Sequence, residues 1–247
     1  NEAGTRVTEG YGVLQPRIGV SHESAMRSRF ARLWSGEPGI DPYAFAMSDP
    51  YQDGLDVGIF TGKGILDVDT FRAVLRERIP DNRVLSHDLL EGGFLRGGLL
   101  PDIELVDGHP ATFSAYQHRL HRWIRGDWQL LGWLRRTAAD RNGRKRRVDL
   151  SPITRWQIID NLRRSLMPPA LLALLGLAML LPAGSGTAAA LIALATLAMP
   201  LWRALAAPDR LIRRPSVLAV AAGQTLSAAA TLPYQAVMTV DAIARAL

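Results

Sequence analysis

The feature that most restricts this chain is a run of 38 residues, 165–202, without a single charge, followed by a second uncharged run of 26 residues at 215–240. A bilayer core about 30 Å thick takes roughly 20 apolar residues per helical span. The first run therefore suits two short spans and the second suits one. The first run is broken by Pro182-Ala183-Gly184-Ser185-Gly186-Thr187, a turn composition, so spans are expected near 166–182, 188–206 and 216–240. The alternative is a soluble domain with buried Ala/Leu helices, which the alanine-rich stretch 188–198 would suit. Such helices carry a polar face, and these runs read as apolar all round.

Charge sets the expected topology. The net charge is +6, carried by 27 Arg and two Lys against 23 acids. Seven basic residues and one acid, Asp140, lie between Arg135 and Arg147, and Arg155, Arg163 and Arg164 stand directly before the first span. Arg203, Arg210, Arg213 and Arg214 separate the second span from the third. By the positive-inside rule, residues 1–164 and the 203–214 loop are expected on the cytoplasmic side, with the 183–187 turn outside. A juxtamembrane arginine cluster is explained by orientation and anionic headgroups, so no nucleic-acid partner is expected and the lipid bilayer is. With no cysteine, disulfides and thiolate metal sites are excluded.

The charged part alternates strand-like and helix-like segments, which points to an α/β fold. Residues 7–20 read as strand, turn and strand, and 99–106 as a strand. Helical spacing covers 23–34, 69–78, 116–134 and 151–164. The last begins with a Ser-Pro entry and aligns Ile153, Trp156, Ile159 and Leu162, so a helix lying in the membrane interface is expected there. The loop 36–64, rich in Gly, Pro and Asp, has a length usually tied to function.

Three groups of residues could carry chemistry. Ser86-His87-Asp88-Leu89-Leu90-Glu91-Gly92-Gly93 sets acids before a Gly-Gly corner, which places a carboxylate at a pocket edge. Asp88, with Glu91 next, is the candidate to take a proton from an attacking hydroxyl. Read alone, the stretch is better explained as a helix N-cap supplied by Ser86 or Asp88. In the second group Arg119, Arg122 and Arg125 recur at helical spacing with Trp123 beside them, which suits a pyrophosphate leaving group and a stacked sugar. A solvated basic face explains the pattern equally well. In the third group, Gly62-Lys63-Gly64 lets backbone approach a ligand closely, but it lacks P-loop spacing. The following Asp67-x-Asp69 imitates a metal pair and is read as a helix cap. His118-x-x-His121 lacks a third zinc ligand and is set aside.

Seven motifs in one order resemble the glycosyltransferase domain of cyclic β-1,2-glucan synthases. They are Gly10-Tyr11-Gly12-Val13-Leu14-Gln15-Pro16-Arg17; Ser28-Arg29-Phe30-Ala31-Arg32; Gly39-Ile40-Asp41-Pro42-Tyr43; and Ser48-Asp49-Pro50-Tyr51-Gln52-Asp53. Gly62-Lys63-Gly64-Ile65, Asn82-Arg83-Val84-Leu85-Ser86-His87-Asp88-Leu89-Leu90-Glu91-Gly92, and His121-Arg122-Trp123-Ile124-Arg125-Gly126-Asp127-Trp128-Gln129 complete the set. Leu66 stands where the family favours Tyr.

The resemblance implies a membrane-bound inverting glucosyltransferase with a GT-A-like fold, a UDP-glucose donor, a glucan acceptor and a divalent metal. It implies Asp88 as base, with Glu91 next to it, Arg119, Arg122 and Trp123 as a substrate-binding element, and Gly62, Lys63 and Gly64 beside them. The metal-binding Asp-x-Asp of such enzymes precedes the Gly-Tyr-Gly stretch, so the metal is expected on residues upstream of this chain, which contributes none itself. The remaining domains of the full-length enzyme are expected as partners, and the chain alone is expected to be inactive. The expected organisation is residues 1–150 as the C-terminal part of a cytosolic GT-A-like domain, 151–164 as the interfacial helix and 165–247 as a multi-pass segment in the inner membrane. A processive membrane polysaccharide synthase of another β-linkage and a non-catalytic membrane-anchoring module are the alternatives.

Overall fold

The structure, a computed structural model, describes residues 4–36, 50–81, 83–206 and 215–247. The motifs at 39–43 and 48–49, Asn82 and the basic positions 210, 213 and 214 lie outside the described residues. The protein is mixed α/β. Strand β1 (Val13–Val20) is followed by helices α1 (His22–Met26), α2 (Arg29–Trp34) and α3 (Pro50–Leu55). Strand β2 (Ile65–Leu66), helices α4 (Val68–Leu75) and α5 (Asp88–Leu95), and strand β3 (Gly97–Asp107) come next. Helix α6 (Phe113–Gln129) runs into a 3₁₀ turn (Leu130–Leu134), then a hairpin of β4 (Thr137–Ala139) and β5 (Lys145–Arg147). The C-terminal region holds α7 (Pro152–Ser165), α8 (Met167–Ala178), α9 (Ala183–Leu197), α10 (Met199–Ala206) and α11 (Pro215–Ala244).

The main sheet has the order β2-β1-β3, with β1 antiparallel to β2 and parallel to β3. The register jumps between Pro16, opposite Leu100, and Arg17, opposite Glu104. The missing N–H of Pro16 makes it a natural place for the ladder to slip. Residues 7–12 do not form the first strand of a pair as expected; they climb onto α5 through Val7 N–H to Phe94 O at 2.8 Å and Gly12 N–H to Leu95 O at 2.7 Å.

Leu90, Phe94 and Leu95 on α5 are fully buried, and Val13, Phe60, Leu130, Trp133, Ile158 and Leu162 close around them. Phe94 meets Trp133 edge-on with ring centres 6.1 Å apart, a favoured aromatic geometry. Helix α7 thus contributes Ile158 and Leu162 to the core and leaves Trp156 and Ile159 exposed. It is a core helix with an apolar outer edge, so the expected stripe through residues 153, 156, 159 and 162 is divided between two faces.

Local signals explain several helix starts. Asp67 caps α4 by accepting from Thr70 N–H at 2.6 Å, and Ser151 caps α7 by accepting from Thr154 N–H at 3.1 Å. The expected helix over 23–34 is two helices, because Ser28 accepts from Ala31 N–H at 2.9 Å and restarts the chain there.

Among the described residues one helix, α11 with 30 residues, is long and apolar enough to cross a membrane. α9 and α10 pass that test only together and are bent by 64°. The expected span over 188–206 is therefore broken at Ala198, since Pro200 disfavours helical backbone before it and cannot continue the hydrogen-bond ladder. The expected span over 166–182 is the 12-residue α8. The turn falls at 179–182, and residues 183–187 already belong to α9.

Helix α11 lies along the charged part of the protein. Gln224 Nε2 donates to Leu33 O at 2.8 Å, Tyr234 packs on Phe113 at 5.5 Å between ring centres, and Asp241 Oδ2 pairs with His121 Nε2 at 2.8 Å. His121 is thus engaged with a carboxylate of α11.

Leu90→Ala removes a side chain with no exposure from the centre of this core. It should destabilise the protein by about 2–5 kcal/mol, read as a lower midpoint in chemical denaturation at unchanged slope.

Candidate functional site

The expected capping role of Ser86 or Asp88 is not the one the backbone adopts. The cap position of α5 is His87, which makes no side-chain capping bond, and Asp88 is the first helical residue. Ser86 Oγ instead donates to Asp88 Oδ2 at 2.9 Å. Nor is Gly92-Gly93 a corner: both lie inside α5, where a Cβ on Gly92 would stand 2.8 Å from Phe60 Cβ and one on Gly93 would collide with Thr154. These glycines let the 58–64 segment and α7 pack tightly on α5.

That packing brings the first and third groups together. A Cβ on Gly62 would stand 3.2 Å from the Asp88 carboxyl carbon, and Gly62 has φ +85°. A side chain there would meet the carboxylate and strain the backbone at once. Gly64 is pressed on Leu14 O and the Phe60 ring. The segment is anchored by Gln15, almost fully buried, whose Oε1 accepts from Thr61 N–H at 2.8 Å while its Nε2 donates to Pro16 O at 2.7 Å.

Burial is the main cause that pushes the Asp88 carboxyl above the ordinary 3.8; the nearby Glu91 charge adds to the rise, and the Ser86 hydroxyl and His87 oppose it. Glu91 is buried and pairs through Oε1 with His87 Nδ1 at 2.7 Å. This hydrogen bond is the largest cause raising the His87 pKa above 6.5.

His87, Asp88 and Glu91 also offer ligand atoms within 4.8 Å of one another. They fit a divalent ion poorly. The His87–Glu91 contact at 2.7 Å is hydrogen-bond length, shorter than the spacing of two ligands each about 2 Å from one ion. Ions that ride on a nucleoside diphosphate also prefer all-oxygen ligands.

Lys63, with φ +60°, reaches over to form an ion pair with Asp107, the last residue of β3. The Lys63 hydrogen bond is the largest cause holding the Asp107 carboxyl below 3.8, and the charge of Arg119 adds to it. Arg119 is partly buried and lies over the Trp123 ring at 4.9 Å, so one face of that indole is already covered. Desolvation lowers the Arg119 pKa below the ordinary arginine value. The Arg122 side chain is exposed and makes no hydrogen bond or ion pair among the described residues.

Helix α6 joins the same neighbourhood from the other side. A Cβ on Gly126 would lie 2.9 Å from Ser86 Cβ, and Gln129 Oε1 accepts from Leu85 N–H at 2.7 Å. Arg122 lies one turn before Gly126. The 62–64 loop and α6 therefore bracket the Ser86–Asp88 stretch.

His87, Gln15 and Asp107 were not among the expected site residues. Gln15 carried a usable signal, a polar residue at the same alternation as the apolar Val13, and Asp107 lies at the carboxyl end of a parallel strand, where α/β sheets place ligands. The Tyr11 and Gln52 motifs serve structure: Gln52 donates to Tyr11 Oη at 2.9 Å and accepts from Leu99 N–H at 3.0 Å, and Tyr11 bonds Asp56.

No family model matches the chain. Over 168 residues it is 48% identical to a cyclic β-(1,2)-glucan synthase, NdvB, of Rhizobium meliloti (strain 1021), an alignment that takes in 68% of this chain and 6% of that relative. With the motif order already described, the chain belongs to the cyclic β-1,2-glucan synthases. It spans about 6% of the length of the relative it matches.

The sign of the His87 effect follows from its raised pKa. The pair with Glu91 stabilises the fold fully below pH 6.5 and loses its contribution as pH rises through the folded-state pKa. The stability gap between wild type and His87→Ala, measured by chemical denaturation across that range, should therefore be widest on the acid side and shrink as pH rises.

Proposed function

We propose that this region forms part of the sugar-transfer site of a membrane glycosyltransferase that adds glucose from UDP-glucose to a growing β-1,2-glucan. The observation that carries this reading is the half-buried Asp88 carboxylate set against the backbone of Gly62, with the Arg/Trp helix alongside. The 48% identity to a glucan synthase supports it.

In this reading residues 1–150 belong to a GT-A-like domain that faces the cytoplasm, and the C-terminal helices hold it at the inner membrane. Asp88 takes the proton of the acceptor hydroxyl as its oxygen attacks the anomeric carbon and the C–O bond to UDP breaks, with inversion. A carboxylate whose pKa is raised is the stronger base, provided it is ionised at working pH. Glu91 holds His87 and adds the negative field that sharpens Asp88. Arg122, exposed and unpaired, meets the phosphates of the leaving group. Arg119 is held against Trp123, so it supports the ring and leaves one indole face for a sugar. Lys63 leaves Asp107 for the donor phosphates when substrate enters. A divalent ion would neutralise the departing diphosphate and would be held mainly by residues upstream of this chain.

Asp88→Asn in the full-length enzyme tests the assignment. Loss of the base should lower turnover by about 10²–10⁴. Because the Asp88 pKa is raised by folding, its ionised form costs stability as pH rises above 3.8 through the raised value, and that cost persists at neutral pH. The Asn variant should therefore unfold at the same or a higher temperature. Near-normal transfer by this variant would remove Asp88 from the base role.

A further inference from the structure

The antiparallel ladder between β1 and β2 stops after two rungs, Val13 with Leu66 and Leu14 with Ile65. In that register the next partners would be Gln15 with Gly64 and Pro16 with Lys63. The ladder cannot continue there. Pro16 has no N–H to donate, and Gly62, with φ +85°, and Lys63, with φ +60°, are not extended backbone.

A side chain takes over where backbone pairing ends. Gln15 is 1% exposed; its Oε1 accepts from Thr61 N–H at 2.8 Å and from Thr61 Oγ1 at 3.3 Å, while its Nε2 donates to Pro16 O at 2.7 Å. Both ends of the amide are committed, which fixes its orientation. A buried amide costs free energy unless it is bonded in this way, and the acceptor end is spent on the loop. Residues 62–64 are therefore pinned on both sides, through Thr61 by Gln15 and through Ile65 by Leu14.

What is pinned is the part of the loop that meets the charged groups of the site. Gly62 backs onto the Asp88 carboxyl, and Lys63 pairs with Asp107 at the end of β3. A lysine in the left-handed region persists only where the surrounding structure dictates it. The Thr61 bond supplies that hold, and it is made by a residue that touches neither Asp88 nor Asp107.

We propose that Gln15 is a positioning residue of the transfer site: its amide replaces the missing rungs between β1 and residues 61–64, and so holds the Gly62 backbone against the Asp88 carboxyl and Lys63 within reach of the end of β3. This role rests on the reading of Asp88 as the base and adds to it a residue that never meets substrate.

The test uses the full-length enzyme, with kcat/KM for transfer from UDP-glucose measured across pH and backbone amide exchange read by mass spectrometry. Gln15→Leu keeps the bulk of the side chain and loses both bonds. It should lower kcat/KM by about 10²-fold, the cost of a small misplacement at a reacting centre. Burial raises the Asp88 pKa, so freeing the loop admits water and lowers it. The acid limb of the profile should then move to lower pH, and exchange should quicken at residues 61–64 while α5 keeps its protection. A wild-type rate and profile would overturn the proposal, and so would a lower rate with an unmoved acid limb, which marks a merely structural residue. Gln15→Glu keeps the shape, and its neutral acid can make both bonds; once ionised, it repels Pro16 O. Its rate should match wild type at the acid end and fall away from it as pH rises. A ratio to wild type that stays flat across pH would overturn the proposal even if the leucine variant fails to fold. Asp88→Asn separates the two readings. If that variant keeps near-normal transfer, the base assignment fails and amide exchange alone decides the positioning role: unchanged protection at 61–64 in Gln15→Leu would overturn it.

Discussion

The arrangement of the candidate site depends on how closely the 58–64 segment can approach α5. Two contacts along that line have no side chain on one partner, Gly92 against Phe60 and Gly62 against Asp88, and Gly64 presses the same segment onto Leu14 of β1. Dense packing at these points excludes water from one side of the Asp88 carboxyl, and that desolvation is the largest cause of its raised pKa. The same segment then hands Lys63 to Asp107 at the carboxyl end of β3. The electrostatics of the acid and the reach of the lysine are therefore two results of one packing constraint.

Features written in local chemistry were legible in the sequence. The Asp67 cap, the Ser151 entry to α7, the helix through Arg119 and Trp128, and the strand over 99–106 all appear in place, because each is set by residues within one turn or by a simple periodicity. The identity of the family was legible as well, from the order of short motifs. The carboxylate pairing was not. Ser86 bonds Asp88 instead of capping α5, and His87 bonds Glu91 one turn on, because the acids answer to burial by segments distant in sequence. The Gly-Gly step likewise read as a corner, since a glycine needed for close approach looks the same in sequence as one needed for a turn.

The apolar region shows the opposite imbalance. Its composition announces helices clearly, but their lengths and bends follow from single residues. Pro200 breaks one expected span, and Pro182 sets the start of α9. The polar residues of α11 also escaped a reading based on uncharged length: Gln224 and Asp241 bind the charged part of the protein, while Val217, Val220, Leu226, Val237 and Val240 remain exposed along the helix. Contacts to the rest of the protein and exposed apolar side chains therefore alternate along α11.

The His121–Asp241 bond has a mechanical consequence. His121 stands between Leu120 and Arg122 on the same rigid helix that carries Arg119 and Trp123. Near its other end α11 is tied to Leu33, about 26 Å away at 1.5 Å per residue. A rod fastened at two such separated points cannot tilt without dragging α6, so any displacement of α11 would be transmitted as a displacement of the arginine–tryptophan face relative to Asp88.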